Sequence, residues 1–163
     1  MALTETSLNA AMSACGSGGE WQRALALLGS MEGLSLKPSV RSYSAAISAM
    51  EAAAQWPWAL HLLQDLEVKG LQSDSIAHNA AISAVEKGGR WDLALGLLRD
   101  MQGRQLATSE VSYSAVILAC ARNEQWQLGL VLLDEMSELQ LKPDVQSYGM
   151  LLSEWEQHGE KGS

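Results

Sequence analysis

The sequence predicts an all-α fold, a solenoid of stacked antiparallel helix pairs. Three observations lead there. A Trp-led segment returns every 35 residues, at Trp21, Trp56, Trp91 and Trp126, and a Met or Leu closes it at the same interval at Met31, Leu66, Met101 and Met136. Inside that segment Trp21, Ala24, Leu25, Leu28 and Met31 fall at i, i+3, i+4, i+7 and i+10, which is one face of an α-helix. A second block, "SLNAAMSA", "SYSAAISA", "HNAAISA", "SYSAVILA" and "SYGMLLSE", keeps the same step. About four and a half repeats follow, at 5–39, 40–74, 75–109, 110–144 and a partial one at 145–163, in a single helical-repeat domain over 1–163.

Each element has a local reason. The Tyr-type block forms the first helix of a repeat, with Tyr43, Ile47 and Met50 on its apolar side and Ser44, Ser48 and Glu51 on another. Ser39, Asp74, Ser109 and Asp144 stand just before these helices, and short oxygen-bearing side chains there cap exposed N–H groups. A short turn follows, "GSGGE", "AAAQ", "KGGR" or "RNEQ". The Trp block is then the second helix. Pro57 sits where a first-turn residue lacks an N–H partner anyway, so it marks a start. Gly33, Gly70 and Gly103 suit left-handed positions at the far ends. One pair of short helices cannot bury its apolar face alone, so each pair stacks on the next, with Trp and Leu as the glue.

Composition narrows the function classes. The chain has 163 residues, of which 47% are hydrophobic, and its formal charge is −8. That is the wrong sign for binding phosphates through Lys and Arg. Distribution partly answers the objection. Asp65, Glu67, Asp92, Asp100, Asp134, Glu135 and Glu138 belong to second helices, whereas first helices carry Arg41, Lys87 and Arg122 against Glu51 and Glu86. No apolar run approaches the roughly 20 residues that span a bilayer, so no membrane partner is expected. Cys15 and Cys120 occupy equivalent places whose other occupants are Met50, Val85 and Trp155, which predicts two buried thiols rather than a disulfide or a ligand pair. The repeat pattern already occupies the N-terminal residues, so no secretory or transit segment is expected within this chain.

Units of 35 residues that end in "LKPS" or "LKPD", restart with "RSYS", "AHNA" or "VSYS", and turn through "EKGGRW" resemble pentatricopeptide repeats over about residues 5–158. The Trp opening the second helix departs from the commoner Leu-like residue. The resemblance implies a right-handed solenoid that reads single-stranded RNA, one base per repeat. It implies base selection by Asn9 with Ser39, Ser44 with Asp74, Asn79 with Ser109, and Ser114 with Asp144. By the same analogy Asn with Ser leans to cytosine and Ser with Asp to guanine, giving a C-G-C-G target bound weakly. An apolar residue sandwiching the base is matched by Ile76 and Val111 but not by Thr6, Arg41 or Gln146. A basic residue meeting the phosphate is matched by Lys87 and Arg122 but not by Ser17 or Ala52. The third and fourth repeats are therefore the best equipped. The family also implies a chloroplast or mitochondrial setting and a role in transcript processing, stability, splicing or translation.

A plainer reading stands beside it: the four cap residues belong in any helical repeat, and Ser44, Asn79 and Ser114 are ordinary polar residues on a helix flank. The alternative function is a non-catalytic protein-interaction scaffold, which the acidic charge favours. Exposed ends of the stack would invite self-association. "CGSGG" lacks the strand and the Lys-Ser/Thr of a phosphate cradle. His61, His78 and His158 have no clustered partners in the sequence, and no carboxylates pair for acid–base chemistry. The expectation is no enzyme, no metal and no cofactor.

Overall fold

The computed structural model of the chain describes residues 3–159. Nine helices occur among the described residues: α1 (Glu5–Ser17), α2 (Trp21–Gly33), α3 (Val40–Ala52), α4 (Trp56–Val68), α5 (Ser75–Lys87), α6 (Trp91–Gly103), α7 (Glu110–Arg122), α8 (Trp126–Glu138) and α9 (Val145–Gly159). They divide into two compact units, one ending at Ala84 and the other beginning at Val85, so the boundary falls inside α5. In the first unit α1 packs on α2 and α3, and α3 packs on α2 and α4. In the second, α7 packs on α6, α8 and α9, and α8 also touches α9. No described helix is long and apolar enough to cross a membrane.

Caps start the first helices as their chemistry requires. Thr4, Ser39 and Ser109 each form a reciprocal capping box with the Ser three residues on. Asp74 Oδ1 accepts from the Ala77 N–H at 2.8 Å, and Asp144 Oδ1 accepts from the Ser147 N–H at 3.0 Å.

The helix ends differ from the sequence expectation. Gly33 and Gly103 are still helical, and of the three expected glycines only Gly70 is left-handed, with φ +78°. The other left-handed positions among the described residues are Gly19, Ser35, Ala54, Gly89, Gln105, Glu124 and Gln140. The reason is a backbone bracket set two residues past the helix. Leu36 N–H donates to Met31 C=O at 2.8 Å and Ser35 N–H to Glu32 C=O at 3.1 Å, a Schellman pair. The pattern repeats after α4, α6 and α8, where Leu71, Leu106 and Leu141 donate to Leu66, Met101 and Met136.

The core lies between first and second helices. Tyr43, Ile47, Met50, Ala24, Met31, Leu66, Leu98, Met101, Tyr113, Ile117 and Met136 are fully buried. Trp21, Trp56, Trp91 and Trp126 are only half-buried, so they flank the core rather than fill it. A ring as large as indole at the mouth of the turn covers apolar neighbours while keeping one edge wet. Cys120 is buried as expected, and burial pushes its thiol up to about 11; Cys15 is half-buried, and both are free thiols. Small residues set the closest approaches. A Cβ on Gly16 of α1 would lie 3.0 Å from the Ala49 Cα of α3.

Polar links tie second helices together within each unit. In the first, Lys69 Nζ reaches Glu32 at 2.8 Å and Asp65 at 3.8 Å, while Tyr43 donates to Asp65 at 2.6 Å. The Glu32 carboxylate, then Tyr43, raise the Lys69 ammonium above its ordinary value, and burial with Asp65 raises the Tyr43 phenol. In the second, Arg99 holds Glu135 and the Tyr113 hydroxyl donates to Glu135 at 3.3 Å. His78 takes the place of these tyrosines and is also fully buried, with its Nδ1 2.8 Å from the Ser73 hydroxyl. Folding also brings a Glu67 carboxylate oxygen within 4.8 Å of a His78 ring nitrogen, a neighbour that residue spacing did not reveal.

Candidate nucleic-acid interface

Helical spacing places the residues after each Tyr-type position on a different flank from the core side. In the first unit that flank opens into a groove of about 390 Å³ lined by Ser13, Ser17, Arg41, Ser44, Ser48 and Ile76, drawn from α1, α3 and the start of α5. Four hydroxyls, one guanidinium, the Ile76 side chain and the methyls of Ala45, Ala49 and Ala52 share it. Ile76 is 64% exposed, an apolar plate in water; Val111 of α7 is 61% exposed in the same helical position. Arg41 is exposed and carries no carboxylate partner among the described residues. Arg41 stands where the resembled family carries an apolar plate, yet a planar guanidinium also stacks on a base.

The eight expected selector residues fare differently. Ser44 and Asp74 meet: Ser44 Oγ donates to Asp74 Oδ1 at 3.3 Å. That same oxygen takes the Ala77 N–H, so Asp74 caps α5 and contacts Ser44 at once. Asn9 and Ser39 are not bonded. The Asn9 side chain is buried (7% exposed), and neither Nδ2 nor Oδ1 has a hydrogen-bond partner among the described residues. Ser39 Oγ instead donates to Glu5. An unpaired buried amide costs about 1–3 kcal/mol, so this position is stressed as it stands. Ser114 is half-buried on α7 and its carbonyl accepts from Ser147 Oγ at 3.3 Å; no bond joins its hydroxyl to Asp144 among the described residues. Asn79 is half-buried on α5, and Ser109 caps α7. The inner-edge residues are thus more enclosed than their sequence positions foretold, since Ser44 itself is only 6% exposed.

The two expected phosphate cations sit at helix ends. Lys87 closes α5 and Arg122 closes α7, where a positive charge also suits the helix dipole. Arg122 is not a free cation: its Nη1 donates to Glu86 Oε1 in a direct ion pair. Residue order does not reveal this pair, because the partners are 36 residues apart and only stacking joins them. Of the histidines, exposed His61 lies edge-on to Trp58 at 5.5 Å between ring centroids.

Comparison with known proteins decides the family. The pentatricopeptide repeat domain profile matches residues 96–156, and the repeat profile matches residues 6–36 and 76–106, together more than half of the chain. The chain belongs to the pentatricopeptide repeat family. Among curated protein sequences none matches it significantly. Solved pentatricopeptide repeat structures share its fold. Maize PPR10 superposes with a TM-score of 0.75 at 24% identity, over 95% of this chain and 22% of PPR10. PPR10 in complex with an 18-nt psaJ RNA element gives 0.78 at 18% identity, over 94% of this chain and 23% of that one. The pentatricopeptide repeat domain of Arabidopsis thaliana protein-only RNase P 1, in complex with tRNA, gives 0.85 at 13% identity, over 97% of this chain and 83% of that domain. The chain therefore spans about a fifth of PPR10, and its fold is the all-α helical-repeat solenoid of this family.

Proposed function

We propose that this pentatricopeptide repeat array binds single-stranded RNA on its first-helix flank, one base per repeat, without catalysis of its own. The observation that carries the reading is the Ser44–Asp74 contact beside a groove lined by Arg41 and Ile76. A hydroxyl donor and a carboxylate acceptor can address the hydrogen-bonding edge of a base, while an aliphatic plate and a guanidinium plane can hold its faces. The Asn9 amide supports it too, because a base edge would supply the partners that the described residues do not. Family members solved with an RNA element and with tRNA make RNA the natural ligand class.

The proposed selector pairs are Asn9 with Ser39, Ser44 with Asp74, Asn79 with Ser109 and Ser114 with Asp144, leaning to C-G-C-G. Ile76 and Val111 are the proposed sandwich plates. Chloroplast or mitochondrial transcripts are the proposed targets by kinship. Stacking contributes about 1–3 kcal/mol per base before ordering costs, so four repeats under a net charge of −8 bind weakly. The test is fluorescence anisotropy at low salt with a CGCG-containing oligonucleotide against a scrambled one. Tighter binding to CGCG, and a shifted preference in Asn79→Asp or Ser114→Asn, is the expected result. Equal binding of both sequences, or none at the lowest salt, defeats the proposal.

A protein-interaction scaffold is the second reading. One surface favours it: Trp58, 40% exposed, stands with Pro57 and His61 on α4, with its ring 6.5 Å from that of Trp21. Exposed aromatic rings of this kind anchor protein interfaces. Partners recovered on beads and retained after RNase treatment, but lost in Trp58→Ala, would favour this reading over the first.

A further inference from the structure

We infer that Glu86 sets the affinity of the RNA-binding flank by holding Arg122 in an ion pair that an incoming phosphate must displace. This rests on the RNA-binding reading above. Glu86 lies in the last turn of α5 and Arg122 is the final residue of α7, so two successive first helices are joined at their ends. The Glu86 side chain is 11% exposed beneath a guanidinium that is 46% exposed.

A carboxylate and a phosphate offer a guanidinium the same thing, oxygens spaced to meet its fork of N–H groups. A phosphate arriving at Arg122 therefore meets a site already filled by an internal anion. Moving Arg122 wholly onto the phosphate would leave the enclosed Glu86 charge without its counterion, which is costly. The alternative, sharing Arg122 between two anions, sets like charges side by side. Either way the cation adds less to binding than an unpaired one such as Arg41.

The pattern extends along the sequence. An acid stands 36 residues before a helix-end cation twice, Glu51 before Lys87 and Glu86 before Arg122. Where the earlier place holds Gly16 or Ala121, the later one holds Ala52 or Gln157, and neither is a cation. Acid and base come and go together, so the second charge is present only in company with the first. The flank gains positive groups without gaining net positive charge.

The experiment measures RNA affinity against salt for the whole chain and three variants, with the CGCG oligonucleotide as probe. Glu86→Gln removes the internal anion and keeps the side-chain size. It should bind about two- to fivefold tighter at low salt, the range of an ion pair whose cation still reaches solvent. Its log affinity should also fall more steeply with log salt, by about 0.7, the increment for one further phosphate on a single strand. Glu86→Met, apolar and of similar length, should give the same gain, and serves if the Gln variant loses helix content. Adding Arg122→Gln to either variant should abolish the gain. A folded Glu86 variant with wild-type affinity and wild-type salt slope overturns the inference while the RNA reading stands. So does a gain that survives Arg122→Gln. No binding by the wild type and by the Glu86 variants alike overturns both.

Discussion

Arg99 on α6 grips Glu135 on α8 through two parallel hydrogen bonds, Nη1 to Oε2 at 2.8 Å and Nη2 to Oε1 at 2.7 Å. The fork matches the carboxylate edge to edge, and the Tyr113 hydroxyl adds a third donor to Oε2 at 3.3 Å. Two second helices are thus pinned to each other and to the first helix between them.

That arrangement makes stability depend on acid. Arg99 chiefly, with Tyr113 and Gln102 assisting, holds the Glu135 carboxyl below its ordinary 4.5 against the opposing effect of burial. A group whose folded value is depressed takes up its proton first in the unfolded chain. Its stabilisation is therefore present above about 4.5 and is lost as pH falls further. Melting temperature followed by circular dichroism should drop between about pH 5 and pH 3, and Glu135→Gln should drop less over that window. Parallel curves for the two proteins would show that the pair contributes nothing to acid sensitivity.

Asp74 has two employments, and they can be separated. Asp74→Ala removes the acceptor for the Ala77 N–H, and losing such a cap costs about 1 kcal/mol. Asp74→Asn keeps an acceptor oxygen in place, so it should melt near the wild type while losing the proposed preference for guanine at that repeat. If Asn changes the melting temperature as much as Ala does, the carboxylate charge, and not the cap geometry, is what α5 needs.

The Asn9 amide gives a prediction with an unusual sign. Replacing a buried polar residue normally destabilises, but neither polar atom of this one is bonded among the described residues. Asn9→Ala should therefore unfold in urea at, or up to about 1 kcal/mol above, the wild-type stability, because the lost contacts are offset by removing an unpaired group. The same variant should lose the proposed discrimination at the first base. A loss above about 2 kcal/mol would reveal a partner that Asn9 needs in order to fold.

Two glycines should respond in opposite directions. Gly16→Leu forces a side chain against the Ala49 backbone, where even a Cβ lies at 3.0 Å, and overpacking of that kind costs about 1–3 kcal/mol. Gly29, on α2, has nothing within 4 Å of an added Cβ. Gly29→Ala should raise stability by about 0.5–1 kcal/mol through helix propensity alone. Chemical denaturation of both variants checks the pair. Equal responses would mean that the α1–α3 approach is slack.

Much of this was readable from residue order, and the division between what was and was not is physical. Ser39 and Ser109 cap helices as their side-chain chemistry demands, and α2, α4, α6 and α8 begin at the recurring Trp residues. Caps and amphipathic spacing act within a few residues, so they leave a local signature. The Glu86–Arg122 pair, the enclosure of Asn9 and the Ser44–Asp74 contact join residues more than 29 positions apart or arise from the packing of a neighbouring helix. Periodicity marks such positions as equivalent but says nothing of what faces them. The left-handed residues escape residue order for another reason. Glycine was expected to mark them, yet Ser35, Ala54, Gln105, Glu124 and Gln140 take the conformation with φ between 55° and 60°.

The eight left-handed corners among the described residues are drawn by peptide groups, each closed by the same two main-chain bonds whether the residue is Gly, Ser, Ala, Gln or Glu. The cadence of the array is thus written in the common polymer, and its lettering in the variable groups. Substitution can rewrite the lettering without disturbing the meter, which gives repeats of this design wide freedom to diverge while remaining in step.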